Sequence, residues 1–228
     1  MSRTGAEPGS QLAFDLDPAE NFSHDDFIRG DGNCAALDLV ESWPDWPART
    51  IAVVGPEGAG KSHLAAIWAA AAGARRLASR ALDESAVPAA LATGALALEC
   101  GASDVDLDER ALFHLLNLAH EQGAFLLLTS RAAPAMWPIA LADLASRLRA
   151  VPVVTLAAPD DAMLRAVLIK LFADRQITVD EALVSYLMIR IERSFAAART
   201  IVTTLDREAL RRQRPITRAF AGEILGGG

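Results

Sequence analysis

One stretch of the chain has the residue types and the spacing of a phosphate-binding loop. From Thr50 to His63 the sequence reads as a buried strand, a glycine-rich loop and the start of a helix, and it fits G-x-x-x-x-G-K-[ST] with Gly55, Gly60, Lys61 and Ser62. The glycines let several backbone N–H groups point at one anion, the lysine reaches the β- and γ-phosphates, and the hydroxyl can bind Mg²⁺. A plain turn is the alternative, but the complete pattern favours ATP or ADP with Mg²⁺. The residues of this stretch that we expect at the nucleotide are Gly55, Gly58, Gly60, Lys61, Ser62 and His63.

The composition limits the class of protein. The 228 residues are 52% hydrophobic, which is enough for a sizeable core in one large or two small domains. A net charge of −7 and a pI near 5.1 argue against a basic nucleic-acid surface as the main activity. Cys34 and Cys100 suggest reduced thiols rather than a disulfide framework or a metal cluster, and the polar N-terminus does not suggest a secretion signal. We therefore expect a cytoplasmic protein, with no membrane span because the apolar run 64–74 is too short.

A candidate acid for the magnesium site follows the apolar run Ala95–Leu98. This run predicts a buried strand, and an acid at its end would lie near the metal. Glu99 meets that expectation, but the next position, where a second acid would polarise the attacking water, is Cys100. The acidic residues between 104 and 109 are more simply a solvated turn and the start of a helix. We infer that hydrolysis by the chain itself is weak.

Strands alternate with helices up to residue 156. This alternation predicts an α/β fold with a mostly parallel sheet covered by helices. After Pro159 only helical segments follow, and they predict a small all-helical lid. We expect a flexible tail over residues 1–20, an α/β nucleotide-binding domain over 21–157 and the lid domain over 158–228. The predicted strands are 51–54, 74–79, 95–98, 125–130 and 151–156, and the predicted helices are 33–43, 64–72, 82–93, 109–122, 141–148, 160–174, 180–193, 195–212 and 217–225.

The N-terminal tail contains large apolar residues in a segment too short and polar to form a core of its own. The segment is Gln11-Leu12-Ala13-Phe14-Asp15-Leu16. Either it folds back onto the domain or it is a linear peptide for a partner's groove. It resembles the hexapeptide that binds the bacterial sliding DNA clamp (the β subunit of DNA polymerase). In that motif the residue matching Gln11 occupies a polar site, and those matching Leu12, Phe14 and Leu16 are apolar.

Several motifs along the chain resemble the Hda family of regulatory inactivators, which are related to the AAA+ core of the replication initiator DnaA. They are Gly-Pro-Glu-Gly-Ala-Gly-Lys-Ser-His-Leu, Leu-Phe-His-Leu-Leu-Asn, Leu-Leu-Leu-Thr-Ser-Arg, Asp-Leu-Ala-Ser-Arg-Leu, and Leu-Asp-Arg-Glu-Ala-Leu followed by Ile-Thr. The phosphate-binding loop occurs in many families, whereas the Ser-Arg-Leu motif, the lid and the tail peptide together are far more specific. The sequence ends just after the lid, so we expect no helix-turn-helix domain and no direct DNA binding.

The resemblance implies a negative regulator of replication initiation. Members of the family bind the clamp through the tail peptide and contact ATP-bound DnaA. An arginine finger acting in trans, here Arg147, then stimulates ATP hydrolysis by DnaA. The regulator's own nucleotide is structural, commonly ADP. Sequence alone leaves open a homodimer and two other functions: an autonomous AAA+ ATPase resembling helicase loaders, and a clamp-binding adaptor whose nucleotide only holds the fold.

The AAA+ resemblance also implies roles for residues outside the loop. Phe27 and Ile28 would pack on the adenine, or else are plain core residues. Thr129 or Ser130 falls where AAA+ proteins keep a polar sensor-1 side chain near the γ-phosphate. Arg193 would fold back on the phosphates as a sensor-2 arginine, or else is an exposed charge at the end of a helix.

Overall fold

The structure, a computed structural model, describes residues 22–100 and 107–226, and five parallel strands in this part of the chain form one sheet. The strands are β1 (Thr50–Val54), β2 (Arg75–Ala78), β3 (Ala95–Glu99), β4 (Phe125–Ser130) and β5 (Val153–Thr155). Their order across the sheet is β2-β3-β4-β1-β5. Strands β2, β3 and β4 therefore all lie on one side of β1, and β5 lies on the other side. In open parallel sheets a change of direction like this opens a crevice at the carboxyl ends of the strands.

The register places the carboxyl ends of three strands side by side. Val54 of β1 pairs with Ser130 of β4, and Glu99 of β3 pairs with Thr129 of β4. Residues that follow these strands therefore begin at the same edge of the sheet. This edge is where the glycine-rich loop begins.

Helices cover both faces of the sheet, and after β5 the chain forms helices without further strands up to residue 226. They are α1 (Cys34–Glu41), α2 (Lys61–Ala72), α3 (Val87–Ala90), α4 (Glu109–Gln122), α5 (Ala142–Arg149), α6 (Asp161–Asp174), α7 (Glu181–Met188), α8 (Phe195–Arg212) and α9 (Arg218–Leu225). Side chains alternate along each strand, so successive residues face opposite layers. Leu96 and Leu98 pack with Leu112 of α4, whereas Ala97 packs on the other face with Leu64 and Trp68 of α2. The predicted parallel sheet with flanking helices is confirmed.

Helices α6 to α9, the lid, bury apolar side chains against one another. Leu168 and Phe172 of α6 are fully buried together with Val202 of α8 and Phe220 of α9. The ammonium of Lys170 joins this group to the segment before α1, because it donates to Asp26 over 2.5 Å. The division of the chain between residues 157 and 158 stays a prediction.

Three predicted helices are shorter in the structure, and the one predicted over residues 33–43 spans only Cys34–Glu41. The helix predicted over residues 82–93 reduces to α3, because Asp83 accepts the Ala86 N–H in a turn and Pro88 lacks the N–H that an earlier start would need. The helix predicted over residues 180–193 ends at Met188, and Ser194 caps the next helix by accepting the Ala197 N–H. Among the described residues, no helix is both long and apolar enough to cross a bilayer.

Candidate functional site

The loop between β1 and α2 needs its glycines for separate reasons. Gly58 and Gly60 have φ angles of +70° and +100°, which side chains other than glycine's rarely adopt. A Cβ at Gly55 would lie 2.5 Å from the carbonyl oxygen of Leu156, and one at Gly58 would lie 2.5 Å from Cβ of Ser194. The loop is therefore closely packed on the residue that follows β5 and on the residue that precedes α8. Gly60 directly precedes α2, so the N–H groups of the first turn of α2 face the loop.

The ammonium group of Lys61 folds back over the loop. It donates to the carbonyl oxygens of Gly55 over 2.8 Å and Pro56 over 2.7 Å. In the described part of the chain it pairs with no carboxylate, and burial lowers the pKa of Lys61 from its ordinary value. An anion beside it would favour the charged form and offset that desolvation.

A cleft of about 370 Å³, the loop cleft, opens beside these residues. Its lining includes three cationic side chains, Lys61, Arg131 and Arg199, together with the hydroxyl-bearing Ser62. Glu57 also lines the cleft but is already paired with Arg131. The cleft therefore combines cationic side chains with a helix N-terminus, a combination that suits a phosphate group.

A smaller cavity of about 200 Å³ lies next to the loop cleft. Gly32, Ala157 and Met163 line it, and Phe195 borders both spaces. The amide of Asn33 is already satisfied, because its Nδ2 donates to the Ile28 carbonyl and its Oδ1 accepts the Gly30 N–H, each over 2.9 Å. This mainly apolar cavity has room for a nucleobase, and only the folded chain brings its walls together.

The structure places Phe27 beside the loop rather than in the smaller cavity. The Phe27 ring lies 3.7 Å from where a Cβ of Gly60 would be, and it meets the His63 ring edge-on at 5.2 Å. Ile28 contributes its carbonyl oxygen to Asn33. Neither side chain lines the smaller cavity, so the adenine contact predicted for them stays a prediction.

His63 is a buried residue that closes one side of the loop cleft. Its Nε2 lies 2.7 Å from the carbonyl oxygen of Ser23, and since a carbonyl only accepts, Nε2 carries the proton. Burial lowers the pKa of His63, which favours the neutral ring. The Phe22 ring lies 5.1 Å from the His63 ring, tilted by 41°, and Phe22 also lines the cleft. His63 thus anchors the segment that enters the domain from the tail.

The lid arginine at the loop cleft is Arg199 and not Arg193. Arg193 precedes α8, pairs with Asp161 over 3.1 Å, and leaves 69% of its side chain exposed. Arg199 lies one helical turn after Phe195 on the same face of α8, and its guanidinium carbon lies 4.8 Å from the centre of the Phe22 ring. Sequence reasoning missed Arg199 because the face of α8 that lies against the loop depends on how the lid packs, and the correctly predicted helix bounds do not show this packing.

At the end of β3, Cys100 and not Glu99 lines the loop cleft. Glu99 accepts two hydrogen bonds from Arg76 of β2, over 2.9 and 2.7 Å. Cys100, the next residue, packs with Leu98 and Leu112 and also lines the cleft. The Ser130 hydroxyl donates to the Ala132 carbonyl over 2.6 Å and does not line the cleft. The magnesium and sensor roles of Glu99 and Ser130 stay predictions.

Arg147 lies on α5, away from the loop cleft. Its guanidinium is exposed and lies 5.6 Å from the centre of the Phe113 ring. Within residues 22–100 and 107–226 it makes no ion pair with a carboxylate. The predicted tail contacts, Gln11, Leu12, Phe14 and Leu16, lie outside the described residues.

The sheet order, the loop and the helical lid define the class of fold as an AAA+ P-loop domain, as predicted. No protein-family model and no curated protein matches the chain.

Among solved structures, domain III of the Thermotoga maritima replication initiation protein DnaA matches with a TM-score of 0.73 and 16% identity, over 90% of this chain and 95% of that one. AMPPCP-bound DnaA from Aquifex aeolicus has a TM-score of 0.62 at 17% identity, over 83% and 67% of the two chains. The Thermotoga maritima RuvB Holliday junction branch migration motor has a TM-score of 0.68 at 17% identity, over 88% of this chain and 70% of that one. At these identities the likeness is one of fold alone.

Proposed function

We propose that the loop cleft and the adjoining cavity bind ADP or ATP. The phosphates would lie at the N-terminus of α2 between Lys61, Arg131 and Arg199, and the base would enter the apolar cavity beyond Phe195. The solved DnaA structure with AMPPCP supports this placement by its fold. The Ser62 hydroxyl would be the protein ligand of Mg²⁺. No cluster of three or more His, Cys, Asp or Glu side chains in the described residues offers a metal site, so phosphate oxygens and water would complete the coordination.

Arg199→Ala is expected to weaken ADP binding by about 10- to 100-fold, because a hydrogen bond to a charged group contributes about 1.5–3 kcal/mol. Titration calorimetry measures this difference. Arg193→Ala is the matched control, and it should bind ADP as the wild type does because its partner is the exposed carboxylate of Asp161. If ADP affinity falls only in Arg193→Ala, the phosphate contact predicted for Arg193 is correct and the one proposed for Arg199 is wrong.

We further propose that the chain is a negative regulator of DNA replication initiation that stimulates ATP hydrolysis by DnaA in trans. The observation that carries this proposal is the exposed Arg147 on α5, which makes no ion pair with a described carboxylate. Because this guanidinium lies outside the chain's own loop cleft, it can reach ATP that is bound to a second molecule. There it would stabilise the charge on the transferring phosphoryl group. Cys100 at the loop cleft is consistent with weak hydrolysis by the chain itself, since a thiol is a poor substitute for a carboxylate in orienting water.

The tail peptide would hold the regulator on the sliding clamp. Its sequence, Gln11–Leu16, resembles the clamp-binding hexapeptide, and the first described residue, Phe22, lies against the loop cleft. Replication-related neighbours of the same fold support a place in the replication machinery. Clamp and DnaA are thus the two proposed partners.

The test of this function is the rate of ATP hydrolysis by purified DnaA, measured with the chain added and with or without clamp loaded on DNA. We expect stimulation only when the loaded clamp is present. A variant with Gln11→Ala, Leu12→Ala and Phe14→Ala should lose clamp binding and stimulation, while its unfolding midpoint and ADP affinity stay unchanged. Brisk hydrolysis by the chain alone, with no effect on DnaA, would show an autonomous ATPase. Normal clamp affinity in the triple variant would contradict the tail assignment.

A further inference from the structure

The first residue of α4 holds the start of α5. The two carboxylate oxygens of Glu109 accept the backbone N–H groups of Ala140 and Leu141, each over 2.9 Å. Leu141 is the residue immediately before α5, the helix that carries Arg147. A carboxylate at that position is also favoured by the positive end of the helix dipole. One side chain therefore fixes the entry into α5.

Helix α4 meets α5 a second time at Arg147 itself. Phe113 lies one turn after Glu109 on α4, and its ring centre lies 5.6 Å from the guanidinium carbon of Arg147, within the range of a cation–π contact. Helix α4 thus contacts both the start of α5 and the arginine near its end.

Helix α5 also packs against the short turn Pro134–Met136. It is 8 residues long, and Leu144 and Leu148 are its buried residues. These two side chains lie one turn apart and face the core, whereas Arg147 is exposed. The direction of the exposed Arg147 side chain therefore depends on what holds the start of the helix and on the Phe113 ring.

We propose that Glu109 is a positioning residue for Arg147: through Ala140 and Leu141 it fixes α5 so that the guanidinium points at the ATP of a partner. This inference rests on the trans-acting function proposed above. It adds a residue that does not touch the partner and that acts only through the geometry of α5.

The expected effect of Glu109→Ala is a lower maximum rate of stimulated hydrolysis. A displacement of a catalytic group by about 1 Å can lower a rate by about 100-fold, so we expect a loss of about 10- to 100-fold. The chain concentration that gives half-maximal stimulation should stay unchanged, since the contact surface is intact. The unfolding midpoint should change little, because water can replace the carboxylate at the two exposed N–H groups.

The experiment measures ATP hydrolysis by DnaA on clamp-loaded DNA over a range of concentrations of the full chain. The variants are Glu109→Ala, Glu109→Gln and Arg147→Ala. Glu109→Gln keeps one acceptor oxygen, so its maximum rate should lie between the wild type and Glu109→Ala. Glu121→Ala is the matched control, because it removes an exposed carboxylate from the other end of α4, and it should behave as the wild type does.

The outcomes separate this inference from the function on which it rests. If Arg147→Ala stimulates ATP hydrolysis by DnaA as fully as the wild type does, the proposed function is wrong. If Arg147→Ala loses stimulation while Glu109→Ala keeps the wild-type maximum, the positioning role is wrong. A changed half-maximal concentration at an unchanged maximum would make Glu109 a partner contact and also overturn it. A large fall in the unfolding midpoint of both Glu109 variants would assign the residue to stability instead.

Discussion

Arg147→Ala should lower the stimulated rate of ATP hydrolysis by DnaA by about 10³-fold or more, because arginine fingers contribute about 10³- to 10⁵-fold in related phosphoryl transfers. The residue is exposed on α5, and its recorded contact is the Phe113 ring, so its removal leaves the core of the fold intact. ADP affinity and clamp affinity should therefore equal those of the wild type. The measurement is single-turnover hydrolysis of ATP bound to DnaA, with the variant at saturating concentration.

Two further substitutions make the Arg147 result specific. Arg147→Lys keeps the charge but loses the planar guanidinium fork, so it should restore only a small part of the rate. Arg149→Ala removes the next exposed arginine of the same helix and should leave the maximum rate nearly unchanged. Equal losses in Arg147→Ala and Arg149→Ala would indicate a general effect of charge on α5, and unchanged stimulation in Arg147→Ala would indicate a clamp-binding adaptor.

Lys61→Ala should abolish nucleotide-dependent stabilisation of the chain. A ligand at 100 times its dissociation constant raises the free energy of unfolding by about 2.7 kcal/mol, and this increment should disappear when the phosphate-binding ammonium is lost. Without nucleotide the variant should be about as stable as the wild type, because Lys61 is partly desolvated and its two hydrogen bonds go to loop carbonyls. Thermal or urea unfolding with and without ADP measures both quantities.

The other lysine of the chain is the control for this experiment. Lys170 lies on α6 and pairs with Asp26 and Asp174, outside the loop cleft. Lys170→Ala should lower the stability of the ligand-free chain and still show the full increment with ADP. If Lys61→Ala keeps the increment, the nucleotide binds somewhere other than the loop cleft.

The elements of the fold follow from local patterns, so the sequence predicts them well. The strand, glycine-rich loop and helix from Thr50 to Ala72 lie where their pattern puts them, as do the apolar strand β4 and the capped helix α6. The α/β class with a helical lid is confirmed. The errors fall where a cap competes with a helical pattern, as at Asp83 and Ser194.

The loop cleft could be predicted only in part, because several of its walls come from distant segments. Arg199 and Phe195 reach it from α8, and Phe22 reaches it from the segment before α1. The choice between Glu99 and Cys100 depends on which face of β3 each side chain takes, and the sequence pattern leaves that undecided when the strand end is uncertain by one residue. The part of the cleft that the sequence predicts correctly is the glycine-rich loop itself, because its backbone conformation depends on neighbouring residues.

A single backbone hydrogen bond connects the glycine-rich loop to the first residue of α8. The N–H of Phe195 donates to the carbonyl oxygen of Gly58 over 2.9 Å, so α8 is fastened to the segment that would surround a phosphate. If a ligand shifts the backbone at Gly58, either this bond breaks or α8 follows. The orientation of α8 would then depend on the ligand in the loop, through this one hydrogen bond.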